Sequence, residues 1–167
     1  LEVDTPIRCP TMIPEAQIDP VTSEGWFLQA SPEQAMKRML SKGYKKIFQI
    51  CKTFRKNEKG PFHLPEFTLL EWYALDCTYL DLMTQCQDLI RFIADRLACT
   101  EPVSYQKESI FLQSDWQTLT VESAFDRYAD IDLESALEQG RFDEVISFQI
   151  EPHLGRGAPG FLVDYPA

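Results

Sequence analysis

The stretch from Lys45 to Leu75 leaves this chain the least freedom. Lys45–Arg55 is rich in Ile, Phe and Thr, and Glu66–Leu75 repeats that character. β-Branched and aromatic side chains suit a pleated, half-buried surface. Residues 56–64 between the two runs are polar, with Gly60-Pro61 at the tip. Two strands joined by a loop of this size predict an antiparallel hairpin. Alternate residues of a strand share a face, so Phe67, Leu69, Glu71 and Tyr73 point one way and Glu66, Thr68, Leu70 and Trp72 the other. An aromatic ring, a carboxylate and a phenol on one face make a ligand floor. Arg55 closes the first strand, and Lys56, Lys59 and His63 follow in the loop. A guanidinium can grip a phosphate bidentately, and Phe67 can stack on a base. The same alternation also fits an ordinary amphipathic hairpin with its charged side in water, and pattern alone favours that plainer reading.

Charge is distributed unevenly around this hairpin. The 167 residues carry a formal charge of −10, yet residues 37–59 hold nine bases and one acid, Glu58, a local excess of eight. The overall acidity argues against a grip on a long nucleic acid through its phosphates, whereas the basic island suits a small polyanion such as a nucleotide. A solvated basic surface has the same composition. The five cysteines form no CxxC, and with His63 and His153 they make no zinc-ligand spacing. Reduced, mostly buried thiols in a cytoplasmic protein are the expectation. No apolar run approaches the ~18 residues of a membrane span, and no basic-then-apolar leader opens the chain. Both ends break off inside strand-like patterns, so a piece truncated at both ends is expected.

The remaining elements follow from caps and periods. Leu1–Ile7 reads as a strand that Pro6 confines to an edge or an end, and residues 9–25, with Pro10, Pro14 and Pro20, as an ordered loop. Trp26–Gln29 is a short strand. Ser31 as N-cap, Pro32 at the first helical position and Gln34 as the capping-box partner open a helix that Gly43 ends. Tyr79–Ala98 has helical spacing, with Leu82, Cys86, Leu89, Ile90, Ile93 and Leu97 on one face. Residues 100–117 read as irregular. Helices are expected at 121–129, 133–139 and 142–150, then a glycine-rich loop and a strand at Phe161–Tyr165.

Longer phrases carry a resemblance. Phe54-Arg55-Lys56-Asn57-Glu58, a short loop, and His63-Leu64-Pro65-Glu66-Phe67-Thr68-Leu69-Leu70-Glu71-Trp72-Tyr73 resemble motif 2 of the class II aminoacyl-tRNA synthetases, in its lysine-type branch. Ser31-Pro32-Glu33 followed by Met36-Lys37-Arg38 is similar to that branch's amino-acid-binding segment, and Leu1-Glu2-Val3-Asp4-Thr5-Pro6 to the end of motif 1. The three arrive in the family's order and spacing. More narrowly, Pro14-Glu15-Ala16, Met36-Lys37-Arg38, Leu70-Glu71-Trp72-Tyr73 and the tail Glu151-Pro152-His153-Leu154-Gly155 with Phe161 to Ala167 resemble the lysyl-tRNA synthetase paralogues that modify elongation factor P. The chain departs from the pattern at Asn57, where the family has Glu, with Glu58 one step later, and at Leu64, where it has Asn. No glycine-rich motif 3 is present.

The resemblance implies an α+β fold, an antiparallel sheet flanked by helices, with residues 1–167 forming one partial catalytic domain that holds the end of motif 1 and motif 2. It implies an ATP-dependent ligase that activates lysine or (R)-β-lysine as an adenylate and passes the acyl group to a lysine of elongation factor P. The alternatives are the catalytic core of a lysyl-tRNA synthetase that charges lysine tRNA, and an inactive fragment or pseudo-enzyme that serves as a binding module. Arg55 is the implied catalytic residue, bridging the carboxylate and the α-phosphate. The implied ATP site is Arg55, Lys56, Asn57, Glu58, His63, Leu64 and Phe67, the last stacking on adenine. The implied amino-acid site is Ser31, Pro32, Glu33, Glu71 and Tyr73. Mg²⁺ is expected with ATP in the full-length protein, with no metal ligands assigned within these residues. A homodimer in the cytoplasm, without membrane attachment, completes the expectation, and the 167-residue piece alone is expected to be inactive.

Overall fold

The computed structural model describes residues 1–11, 18–99, 102–105 and 107–166. Pro14-Glu15-Ala16 and Ala167 lie outside the described residues. The chain forms two compact units, Leu1–Cys77 and Thr78–Ala167, both mixing helices with strands as an α+β fold requires.

The first unit opens with three short antiparallel strands, β1 (Arg8–Cys9), β2 (Thr22–Ser23) and β3 (Trp26–Leu28), in the order β1-β3-β2. Glu24 and Gly25, at φ 49° and 80°, form the two-residue turn between β2 and β3, the backbone combination that matches the twist of a hairpin. Leu1–Ile7 is not the strand its residues suggest. Its one β-bridge among the described residues is a parallel one from Glu2 to Phe48, with Val3 N donating to Phe48 O and Phe48 N to Leu1 O, and at its far end Ile7 O accepts from Gln29 N. A strand exists by its partner, and Pro6 has no N–H with which to extend the ladder.

Helix α1 (Glu33–Leu40) follows. Its N-cap is Pro32, without a side-chain cap, so Ser31 is not the cap and Gln34 completes no capping box. Gly43, at φ 100°, receives the chain as it leaves the helix, its N–H bonded to Leu40 O. Strands β4 (Lys46–Phe54) and β5 (Glu66–Ala74) then pair antiparallel without a break, from Lys46↔Ala74 to Phe54↔Glu66. Burial follows the alternation: Ile47, Gln49 and Thr53 are buried, while Phe48 and Ile50 on the opposite face are exposed. The core of this unit is Val3, Met36 and Ile47, with Met39, Leu40 and Tyr73 packed against it.

In the second unit, α2 (Tyr79–Arg96) starts at a complete capping box. Thr78 Oγ1 accepts from Asp81 N, and Thr78 N donates to the Asp81 carboxylate at 2.7 Å. The Thr78 N–H and the Thr78 hydroxyl, both donating to it, hold the Asp81 carboxyl below the usual carboxylate range. A lowered folded value means that the cap is fully formed above the ordinary carboxylate pKa and is lost as pH falls through the lowered one. Thr78→Ala is expected to cost about 1 kcal/mol of stability, read from urea denaturation of the intact protein. An unchanged midpoint would show the cap to be idle.

The described residues between 102 and 117 are less irregular than their sequence suggests. β6 (Val103–Tyr105) and β7 (Glu108–Ile110) form a small hairpin, and Arg91 of α2 donates to the carbonyls of Leu112, Gln113 and Ser114. β8 (Gln117–Thr120) runs into α3 (Val121–Tyr128), α4 (Leu133–Glu138) and α5 (Phe142–Val145), then a π-helical turn at Ile146–Ile150 and a 3-10 turn at Glu151–His153. β9 (Gly160–Val163) pairs with β8 in parallel, the one departure from antiparallel pairing among the named strands. The core here is Val121, Ala124, Phe125, Ala136, Val145, Ile146 and Ile150. The cysteines are free thiols, four of them half-buried and Cys99 exposed, rather than mostly buried. No helix among the described residues is long and apolar enough to cross a membrane.

Candidate functional site

The site lies within the first unit, where the segment Gln29–Pro32 runs alongside the β4–β5 hairpin. Phe54 N donates to Gln29 O, and Gln29 Nε2 donates to Lys52 O at 2.9 Å. Two adjacent residues of this segment then reach two different side chains of the hairpin. Ala30 O accepts from Arg55 Nε at 3.3 Å, and Ser31 Oγ donates to Glu71 Oε1 at 2.5 Å. The Ser31 hydroxyl also accepts from Glu33 N, which fixes its lone pairs and turns its proton to the carboxylate.

Glu71 is the centre of the first cluster. Its other oxygen accepts from Tyr73 OH at 2.8 Å, so hydroxyl donors meet both carboxylate oxygens. Burial raises the Tyr73 phenol well above its ordinary value, and the hydrogen bond to Glu71 and the charges of Glu71 and Glu33 raise it further. It remains a proton donor throughout the neutral range. Cys51 shares this face. Its thiol is also raised, first by burial, then by the charges of Glu71 and Asp4, while a hydrogen bond with Gln29 opposes them. Glu33 is turned along α1 to Lys37, with Nζ to Oε1 at 2.6 Å. The Glu71 carboxylate, held by the hydroxyls of Ser31 and Tyr73, therefore presents a negative charge that complements an alkylammonium.

The second cluster surrounds Arg55. Its guanidinium carbon lies 5.2 Å from the Phe67 ring centroid, and Nη1 lies 3.8 Å from Glu58 Oε2. Arg55, Glu58, Phe62, His63, Leu64 and Phe67 line a cavity of about 210 Å³. Mutual backbone bonds between Gly60 and His63 close the loop above it. A cation, two aromatic rings and an imidazole around an open cavity suit a nucleotide.

The residues named from sequence thus fall into groups. Ser31, Glu71 and Tyr73 meet directly, and Arg55, Glu58, His63, Leu64 and Phe67 share the cavity. Lys56 and Asn57 do not join it: Lys56 N donates to Asp19 O, and Asn57 Nδ2 to the Asp19 carboxylate at 3.3 Å. Asn57 has φ 66°, a left-handed conformation that asparagine enters far more readily than most residues. Pro32 is fully buried and starts α1. Three participants carried no sequence signal: Asp19, which anchors the loop, Gln29, and Gln49, a buried amide opposite Glu71 in the ladder. Among the described residues, no three His, Cys, Asp or Glu side chains gather to hold a metal ion.

The family model for class II tRNA synthetases (D, K and N) matches residues 1–167. Among individual proteins, the chain is 32% identical over 184 residues to elongation factor P--(R)-beta-lysine ligase of Pectobacterium carotovorum subsp. carotovorum. It is 33% identical over 188 residues to the protein of that name from Photobacterium profundum, and 30% over 185 residues to that of Buchnera aphidicola subsp. Schizaphis graminum. Each match covers all of this chain and 56% of the relative. The chain thus spans just over half the length of the curated relatives it matches.

Proposed function

Since the chain belongs to the family of class II tRNA synthetases (D, K and N), we propose that the intact protein activates lysine or (R)-β-lysine with ATP and transfers the acyl group to a lysine side chain of elongation factor P. The observation that carries this reading is the link from Arg55 to Ala30 and from Ser31 to Glu71. One backbone step ties an ammonium-binding carboxylate to a phosphate-binding guanidinium. A substrate with an ammonium at one end and a carboxylate at the other spans that interval.

In the first step a carboxylate oxygen of the amino acid attacks the α-phosphorus, and the bond to the β-phosphate oxygen breaks to release pyrophosphate. Both reacting groups are anionic. Their approach needs a fixed positive charge more than a proton transfer. Arg55 supplies that charge, with Phe67 and the Ala30 carbonyl holding its plane. Glu58 faces Arg55 before ATP arrives, and the phosphates replace it. Glu58 rather than Asn57 then serves the nucleotide, because Glu58 lines the cavity and Asn57 is engaged with Asp19. Ser31 and Tyr73 hold Glu71 toward the substrate ammonium. In the second step the acceptor amine attacks the acyl carbon, AMP leaves, and the amine gives up a proton.

The printed names of the relatives support elongation factor P as acceptor, as does the net charge of −10, which disfavours a polyanion such as tRNA. The test is ATP–pyrophosphate exchange by the intact protein with lysine and with (R)-β-lysine, followed by transfer to unmodified elongation factor P or to lysine tRNA. Exchange dependent on either amino acid and acylation of the factor are expected. Charging of tRNA alone would reassign the acceptor, and exchange independent of both amino acids would remove the reading.

A further inference from the structure

One polar atom of the first unit stands out by having nothing to do. Gln49 is 2% exposed, and its Nε2 has no hydrogen-bond partner among the described residues. Buried polar groups are rarely left so, because an unmade hydrogen bond in a dry interior costs free energy that water would otherwise return. The other end of the amide is firmly held. Thr5 Oγ1, itself buried, donates to Gln49 Oε1 at 3.0 Å. An amide whose oxygen is pinned on one side turns its nitrogen away from that side.

Glu71 is the direct partner of Gln49 in the β4–β5 ladder. Opposed residues on one sheet face have Cβ atoms about 4.5–5.5 Å apart, within reach of two long side chains. A carboxylate offers about four acceptor positions. Ser31 and Tyr73 take one on each oxygen, leaving room for the substrate ammonium and for one more donor.

We infer that Gln49 is a positioning residue for the amine pocket: its Nε2–H closes onto the Glu71 carboxylate when the substrate ammonium binds, and holds that carboxylate against the charge. This inference rests on the amine-site role of Glu71 proposed above. It explains why a neutral donor occupies a buried position that would otherwise suit valine or leucine, and it gives Thr5 a part in the site through the amide it orients.

The test uses Gln49→Met and Thr5→Val in the intact protein, with Glu71→Gln as reference, and reads KM for lysine, (R)-β-lysine and ATP and kcat in pyrophosphate exchange. Met keeps the length of the side chain and lacks the donor. Val keeps the shape of threonine and unpins the amide. Gln49→Met is expected to raise the amine KM on the order of tenfold, the value of a hydrogen bond to a charged group, with kcat and the ATP KM unchanged. Thr5→Val is expected to give a smaller rise in the same direction, and remains informative where Gln49→Met fails to fold. An unchanged amine KM in the variant that folds, or an equal rise for ATP and amine, overturns the role of Gln49. An unchanged amine KM in Glu71→Gln overturns the amine-site reading itself, so the two failures are told apart.

Discussion

Arg55→Ala is expected to slow amino-acid-dependent ATP–pyrophosphate exchange by about 10²- to 10³-fold, the usual loss when one preorganised charge is removed from a reacting centre. The folded chain is expected to survive. Arg55 directly follows a strand whose pairing is made by backbone groups, and its side chain gives the fold one bond to Ala30 O, a long ion pair with Glu58 and a contact over Phe67. That pair is partly exposed, and such pairs contribute little to stability. Arg55→Lys sharpens the test. Lysine restores the charge without the planar fork that meets two oxygens at once and without the stacking on Phe67, so activity between that of Ala and the parent is expected. Exchange by Arg55→Ala at close to the parental rate, in a protein with an unchanged denaturation midpoint, would remove Arg55 from the chemistry.

The difference between what was legible in the sequence and what was not follows the range of the interactions. The hairpin was legible to within one residue at each strand end, because β-branched and aromatic content and a two-residue period act locally and agree. The same period put Phe67, Glu71 and Tyr73 on one face, which the register of β4 and β5 bears out. Leu1–Ile7 misled because its residues have strand character but form a β-bridge only at Glu2. Ser31 looked like a helix cap because serine, proline and glutamine stood at the right spacing. Its hydroxyl does accept from Glu33 N at the start of α1, but its proton is directed to Glu71, forty residues away, a second role no local pattern displays. Residues 142–150 read as one helix because so short a run is too brief for its apolar spacing to register a change from i→i+4 to i→i+5 bonding, and the structure changes from one to the other at Ile146. Gln49 was invisible for a related reason. Alternation assigns it to the buried face, but only the segments packed against it show that its oxygen is taken by Thr5 and its nitrogen has no partner among the described residues.

Glu71→Gln is expected to raise KM for lysine and (R)-β-lysine on the order of 10²-fold, about 2–3 kcal/mol, the lower part of the range for truncating a hydrogen-bonded charge pair, because Glu71 is only half-buried. The change is isosteric, and both neighbours adapt to it. Ser31 and Tyr73 carry hydroxyls that can accept as well as donate, so the amide keeps partners and the hairpin keeps its register. What disappears is the charge toward which both hydroxyls are directed. Tyr73→Phe removes one of those donors and leaves the charge, so a smaller rise is expected, nearer tenfold. The elevated phenol pKa adds a further condition. Burial is its first cause, so loss of the Glu71 charge leaves Tyr73 protonated, and no alkaline limb near neutral pH is expected in either the parent or Glu71→Gln. The ATP KM is expected to stay within about twofold, since Arg55 and the cavity beside it are untouched. A Glu71→Gln protein that holds its amine as tightly as the parent would mean that the hydroxyl-bound carboxylate serves the fold alone, and the ammonium would have to be sought at Glu33, once released from Lys37.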